Sequence, residues 1–264
     1  ESYISLRRLE NDTLRYQTNQ ITMGDYANPI QVSIHQFYGI EINDFAATVA
    51  KTALWIAESQ MLKETEDIIA HQIDFLPLKS YANITEGNAL RLDWEDVVPK
   101  EKLDYIMGNP PFVGARLMDA SQKSDVNLIF EGWKNVGNLD YVCCWYKKAA
   151  DLMQGTEIRS ALVSTNSVSQ GESVANLWKP LFEAGVHIDY AYRTFRWDSE
   201  AKIKAHVHCV IIGFSIAPNH EERILYSGDR AQVVQNINGY LLDAENVFVE
   251  SRNKPLCNVP EIGI

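Results

Sequence analysis

Apolar positions along the chain follow two periods in turn. Residues 2–17 carry the spacing of an amphipathic helix. The stretch "VSIHQFYGIEI" (32–42) is apolar almost throughout, as expected of a strand covered on both faces. Asn43 stands where it can cap the next helix, whose stripe Phe45, Val49, Ala50, Ala53, Leu54, Ala57 and Met61 follows helical spacing. "NITEGNAL" predicts a short strand ending near Gly87, and "LDYIMGN" predicts the next. A helix is expected from about Asp140 through Met153, then a strand at "RSALVST" (159–165) and a helix over 172–183. Two long strands near 187–195 and 205–216, joined by a charged connection, complete the pattern. Strands alternating with helices predict an α/β fold with a mostly parallel sheet, and the two closing strands an antiparallel hairpin at its edge. After "APNHEE" the pattern loosens, and "SRNKPLCNVPEIGI" has the Pro, Asn and Gly content of a linker. The expected division is a core over 1–217 and a connection over 218–264.

Composition narrows the class. The 264 residues are 46% hydrophobic and 22% charged, an ordinary core-forming balance. The apolar run "VHCVIIGF" is too short to cross a bilayer, and "ESYISLRRLE" does not read as a signal peptide, so neither a membrane nor an export route is expected. The first residue is Glu, which suggests a piece of a longer chain. None of the four cysteines (Cys143, Cys144, Cys209, Cys257) shows Cys-x-x-Cys spacing, which points to a reducing, cytoplasmic setting. A net charge of −11 argues against a broad basic face for nucleic acid.

The stretch with chemical content is "DYIMGNPPFVG" (104–114), in which an apolar strand stops against two prolines. Neither proline can donate to a ladder, and each fixes its own backbone, so Asn109, Pro110, Pro111 and Phe112 form a stiff turn at a strand's carboxyl end. In open parallel sheets, ligands gather there. From ordinary residue usage, Asn-Pro-Pro-aromatic arises by chance about a few times in a thousand chains of this length. The plain alternative is a rigid turn with Phe112 tucked into the core. The chemical reading uses each residue: the Asn109 side-chain oxygen and the Pro110 carbonyl are two fixed acceptors for an amino group, and Phe112 offers a face for a planar base.

"GNPPF" resembles the catalytic motif of N6-adenine DNA methyltransferases that use S-adenosylmethionine. "FYGIEINDFAATVAKTALWIAESQ", "GNLDYVCCWYKKAADLM", "ALVSTNSVSQGE" and "AYRTFRWDSEAK…HVHCVIIGF" are similar to the branch containing type IIG restriction-modification enzymes and their stand-alone methylase relatives. The resemblance runs from about residue 2 to the end. It implies a class I, Rossmann-like methyltransferase core, with Asn109, Pro110, Pro111 and Phe112 as the catalytic turn. It implies that Glu41 takes the ribose hydroxyls of the cofactor, that Ile42 packs on its adenine, and that Asn88, with Ala89 and Leu90 beside it, reads the adenine's amino edge. Taken alone, Glu41 also suits a helix-start carboxylate and Asn88 ordinary turn chemistry. Phe195 and Trp197 are both candidates for a second ring over the target base, and the sequence does not choose between them.

The resemblance implies double-stranded DNA as partner, held mainly by a recognition domain downstream, which eases the objection from charge. One family feature is missing: the 14 glycines never occur as Gly-x-Gly, so the Gly-rich cofactor loop and the first central strand are expected to lie upstream. Cofactor binding by this stretch alone is then in doubt, and exposed sheet edges favour self-association or pairing with another segment. Other signals carry less. Glu200-Ala201-Lys202 spells half a nuclease motif without a partner, and His206 and His208 lack a third ligand, so no metal is expected. Cys143 and Cys144 read as helix core. The rival functions are methyl transfer to RNA guanine or protein glutamine through the same turn, and a non-catalytic interaction module.

Overall fold

A computed structural model describes residues 1–18, 30–69, 83–197, 207–218 and 222–250. The chain divides into two compact units, Glu1–Val98 and Pro99–Ile264.

In the first unit, helix α1 (Ser2–Thr18) is followed by strand β1 (Tyr38–Glu41), helix α2 (Asp44–Ile69), strand β2 (Asn83–Glu86) and the short helix α3 (Trp94–Val97). β1 and β2 pair in parallel, with Glu41 opposite Glu86. Tyr3, Ile34, Ala57 and Met61 form the core, and Tyr3 meets Phe37 edge-on. Arg7 is buried, and its charge is answered by Glu10 on the same helix and by Thr65 Oγ1 on α2 at 2.6 Å. Glu10 in turn accepts from the backbone N–H of Gln31 and Val32, which ties the chain before β1 to α1. The expected stripe on α2 holds only in its second half. Ala57 and Met61 are buried, whereas Phe45 is 74% and Val49 49% exposed. The strand expected over 32–42 is confined to four residues, because Ser33 and Gln36 close a reciprocal cap on a 3₁₀ turn at Ile34–Gln36.

The second unit is built on a six-stranded sheet. Its strands are β3 (Tyr105–Gly108), β4 (Arg159–Thr165), β5 (His187–Trp197), β6 (Val207–Ser215), β7 (Arg223–Ser227) and β8 (Arg230–Val234), in the order β3-β4-β6-β5-β7-β8. Four strands run one way, and β6 and β8 run against them. The sheet is thus mostly parallel in direction, but the closing hairpin is not at its edge. β6 lies between β4 and β5, and its nearly continuous burial is what an interior strand requires. Residues 223–234, expected within a connection, add a further hairpin to the sheet.

Helix α4 (Ala120–Ile129), which the apolar pattern missed, starts from a reciprocal Asp119–Gln122 cap. Helix α5 (Cys143–Met153) buries Cys143, Cys144, Tyr146, Ala149, Ala150 and Met153 along one stripe. Its Tyr146 hydroxyl meets Ser164 Oγ at 2.6 Å, and its ring stacks on Phe214 of β6. A short helix α6 (Gly171–Ser173) passes through a π-helical turn (Val174–Trp178) into α7 (Lys179–Glu183). The turn buries Trp178 against Tyr146 and Phe214, and the indole N–H donates to the Val168 carbonyl. A Cβ at Gly239 would lie 2.7 Å from Val174 Cγ1, so residues around 239 seat directly on that turn. Asn238 holds the loop by accepting from the N–H groups of Tyr240 and Leu242 while Leu241 adopts φ 57°. No helix among the described residues is long and apolar enough to cross a membrane.

Candidate functional site

Glu41 ends β1, and its carbonyl accepts from the Gly87 N–H just past β2, so the two strand ends meet. One carboxylate oxygen of Glu41, Oε1, accepts from the Asn43 N–H at 3.0 Å. The other has no hydrogen-bond partner among the described residues. Asn43 caps α2 through Ala46 N, as its position suggested. Ile42 between them is 69% exposed. A half-buried carboxylate with one oxygen unspent beside open apolar surface fits a ribose diol next to a planar ring. Asn88 follows β2 directly. Its side-chain oxygen accepts from the Leu90 N–H, and its carbonyl accepts from Arg91 and Leu92, so it builds the turn itself. Ala89 contributes its carbonyl to the Trp94 indole. Leu90 is 1% exposed, so its side chain supports this turn and cannot line a ligand surface.

The second group belongs to the other unit. β3 ends at Gly108, opposite Leu162 of β4, and the Asn-Pro-Pro-Phe turn follows. Asn109 and Pro111 are exposed, Pro110 is buried and Phe112 is half-buried. Neither the Asn109 side chain nor the Pro110 carbonyl has a hydrogen-bond partner among the described residues. The turn is therefore anchored by its first proline while both acceptors remain unspent. Phe112 is covered over part of its ring and keeps the remainder exposed.

Phe195 and Trp197 end β5, which runs in the same direction as β3 and β4, so all three carboxyl ends lie at one end of the sheet. Phe195 pairs with Cys209, as does Thr165 at the end of β4. Two strands separate β5 from β3, a lateral span of roughly 14 Å at ordinary strand spacing. Phe195 is half-buried, whereas only the backbone pairing of Trp197, to Val207, is described. Glu200, Lys202 and His206 lie outside the described residues, as does Cys257. Among the described residues no cluster could hold a metal ion. Cys143 and Cys144 are buried, and burial pushes the Cys144 thiol up to about 12, which removes it from thiolate chemistry at neutral pH. A cavity of about 950 Å³ lined by Asp104, Tyr105 and Arg159 opens beside the amino ends of β3 and β4, opposite the turn.

Residues 1–227 match the model of the MmeI DNA-methyltransferase domain. The chain belongs to this family. DNA methyltransferase A of Bacillus subtilis (strain 168) is 39% identical over 264 residues, which are 99% of this chain and 30% of that protein. The structure of the Type IIL restriction-modification enzyme MmeI in complex with DNA superposes with a TM-score of 0.91 at 40% identity. It covers 98% of this chain, which spans 36% of the enzyme. The architecture of this MmeI-type domain is that of a class I methyltransferase of restriction-modification systems.

Asp140, placed by the sequence pattern only at the start of a helix, makes long-range contacts. Its carboxylate accepts from the Ala115 N–H and from two hydroxyls at the end of β4. An Asp three residues before a helix reads locally as a cap, and partners 25 residues away in either direction leave no periodic trace.

Proposed function

We propose that this domain transfers the methyl group of S-adenosylmethionine to the N6 amino group of adenine in DNA, within a restriction-modification protein. The observation that carries the reading is the pair of unspent acceptors, Asn109 Oδ1 and the Pro110 carbonyl, on a turn anchored by a buried proline. An adenine amino group has two hydrogens to donate. When both go to Asn109 and Pro110, the nitrogen lone pair is drawn out of conjugation with the ring and becomes nucleophilic. Phe112 supplies the stacking face that holds the extruded base flat, and Phe195 or Trp197 closes over its other side. Glu41 accepts from the ribose hydroxyls, with Ile42 against the cofactor's adenine and Asn88 and Ala89 on the adjoining turn. The cofactor, when bound, supplies a methyl group already activated as a sulfonium, so the chain's own residues need only orient and polarise.

Family membership and the DNA complex of MmeI support DNA as the substrate class. A net charge of −11 makes a broad electrostatic grip by this chain unfavourable, so the phosphate contacts come mainly from a recognition domain elsewhere in the protein. The test is transfer of labelled methyl by the full-length protein to duplex DNA, RNA and protein, followed by nucleoside analysis. N6-methyladenine in DNA is the expected product. Label in guanine, in glutamine or nowhere would replace this reading with one of its rivals.

A further inference from the structure

We infer that Asp140 is a positioning residue that fixes the catalytic turn from behind. This inference rests on the role proposed above for Asn109–Phe112. The chain leaving Phe112 is caught on both sides of Gly114. The Tyr141 N–H donates to the Val113 carbonyl at 2.9 Å, and the Ala115 N–H donates to Asp140 Oδ1 at 3.2 Å. A Cβ on Gly114 would sit 3.6 Å from that same oxygen, so Asp140 lies directly against this backbone.

The second oxygen of Asp140 faces the sheet. It accepts from Thr165 Oγ1 at 3.1 Å and from Ser167 Oγ, while the two hydroxyls lie 2.6 Å apart. β4 continues three residues past its last pairing with β3, so Thr165 is the end of the strand adjacent to the turn. Asp140 itself precedes α5, whose first residue donates its N–H to the Asp140 carbonyl. Its neighbour Tyr141 is secured in the same way, its hydroxyl donating to the buried Asp125 at 2.7 Å. One carboxylate thus joins the chain after the turn, the start of a core helix and the end of a core strand. Phe112 is held between Pro110, which is buried, and Val113, which is bonded. A turn tied at one end only would let the ring and the two acceptors wander relative to the sheet.

The geometry separates position from charge. Asparagine at 140 keeps an oxygen for the Ala115 N–H, and its amide can donate to the two hydroxyls, which accept as well as donate. Alanine keeps neither. In the full-length protein, Asp140→Ala is expected to lower kcat about 10- to 100-fold with the KM for cofactor nearly unchanged, the signature of lost alignment. Asp140→Asn is expected to retain kcat within about threefold. Parent-like kcat in Asp140→Ala overturns the inference. So does an Asn variant as impaired as the Ala variant, since that would assign the charge a direct role. If Asp140→Ala does not fold, the double variant Thr165→Val/Ser167→Ala tests the same tie: a severalfold fall in kcat supports it, and an unchanged kcat overturns it. Asn109→Ala run in parallel separates the two levels of argument. If that variant keeps turnover, the role of the turn has failed; if it loses turnover while Asp140→Ala keeps it, only the tie has failed.

Discussion

Removing the Asn109 side chain isolates one of the two acceptors. Asn109 is exposed and bonded to nothing among the described residues, so Asn109→Ala should change stability by no more than about 0.5 kcal/mol. In a protein of this size that is a shift in Tm of about 2 °C or less. The Pro110 carbonyl remains, because the buried proline and not the asparagine anchors the turn. What disappears is a hydrogen bond that strengthens as positive charge develops on the amino nitrogen. Loss of a preorganised partner of that kind costs about 2.7–4 kcal/mol, or roughly 10²–10³ in kcat. The assay is single-turnover methyl transfer to duplex DNA at saturating cofactor, paired with calorimetric titration of S-adenosylmethionine. The expected result is the loss in rate with cofactor affinity retained. Asn109→Asp keeps an oxygen at the same reach and should hold about tenfold more activity than the Ala variant. Turnover of Asn109→Ala within about threefold of the parent would refute the reasoning, because no acceptor contributing that little can be polarising the amine.

Three further variants test other parts of the structure. Glu41→Gln removes a charged acceptor worth about 1.5–3 kcal/mol to a bound diol, so cofactor Kd should rise about 10- to 100-fold by calorimetry; an unchanged Kd would detach Glu41 from the cofactor. Gly239→Ala places a methyl 2.7 Å from Val174 Cγ1 and 3.0 Å from Trp178 Cβ, both buried, and should cost about 1–3 kcal/mol in urea unfolding. An unshifted midpoint would mean that this loop does not seat on the π-helical turn. Tyr146→Phe leaves the fully buried Ser164 hydroxyl without its partner, a loss of about 1–3 kcal/mol. The double variant with Ser164→Ala should recover most of that loss, and strict additivity of the two changes would contradict the hydrogen bond.

Much of the second unit was legible because its elements are local. The strand at 159–165 is found over the stated residues, and the helix expected over 172–183 corresponds to the continuous helical stretch from Gly171 to Glu183. The order of strands was not legible in the same way. Two consecutive strands with a short connection do form a hairpin, but sequence neighbours do not reveal which of them takes the interior position. The signal was present in composition. "VHCVIIGF" is apolar at nearly every position and so needs cover on both faces, whereas β5 carries Arg193, Thr194 and Arg196 exposed. On α2 the stripe began too early, since Phe45 and Val49 share the helical period yet stand exposed, and periodicity reports a face without reporting what covers it. The stiffness of the Asn-Pro-Pro-Phe turn was legible for a different reason: two prolines constrain the backbone whatever surrounds them.

That contrast bears on how the site achieves its chemistry. A flexible asparagine on an ordinary loop would have to give up backbone freedom, about 1–2 kcal/mol per residue, each time it met an amino group. Here two successive residues have φ fixed covalently, Pro110 is buried, and the chain beyond Phe112 is bonded at Val113 and Ala115. Most of the ordering is therefore done during folding, and an amino group docking on the turn would meet acceptors already placed. On the role proposed for the turn, such an arrangement would need neither a metal nor a strong base to gain rate, because the methyl donor would be activated before it arrives. On that reading the residues behind the turn should matter for rate, though less than those in front of it, without touching the substrate themselves.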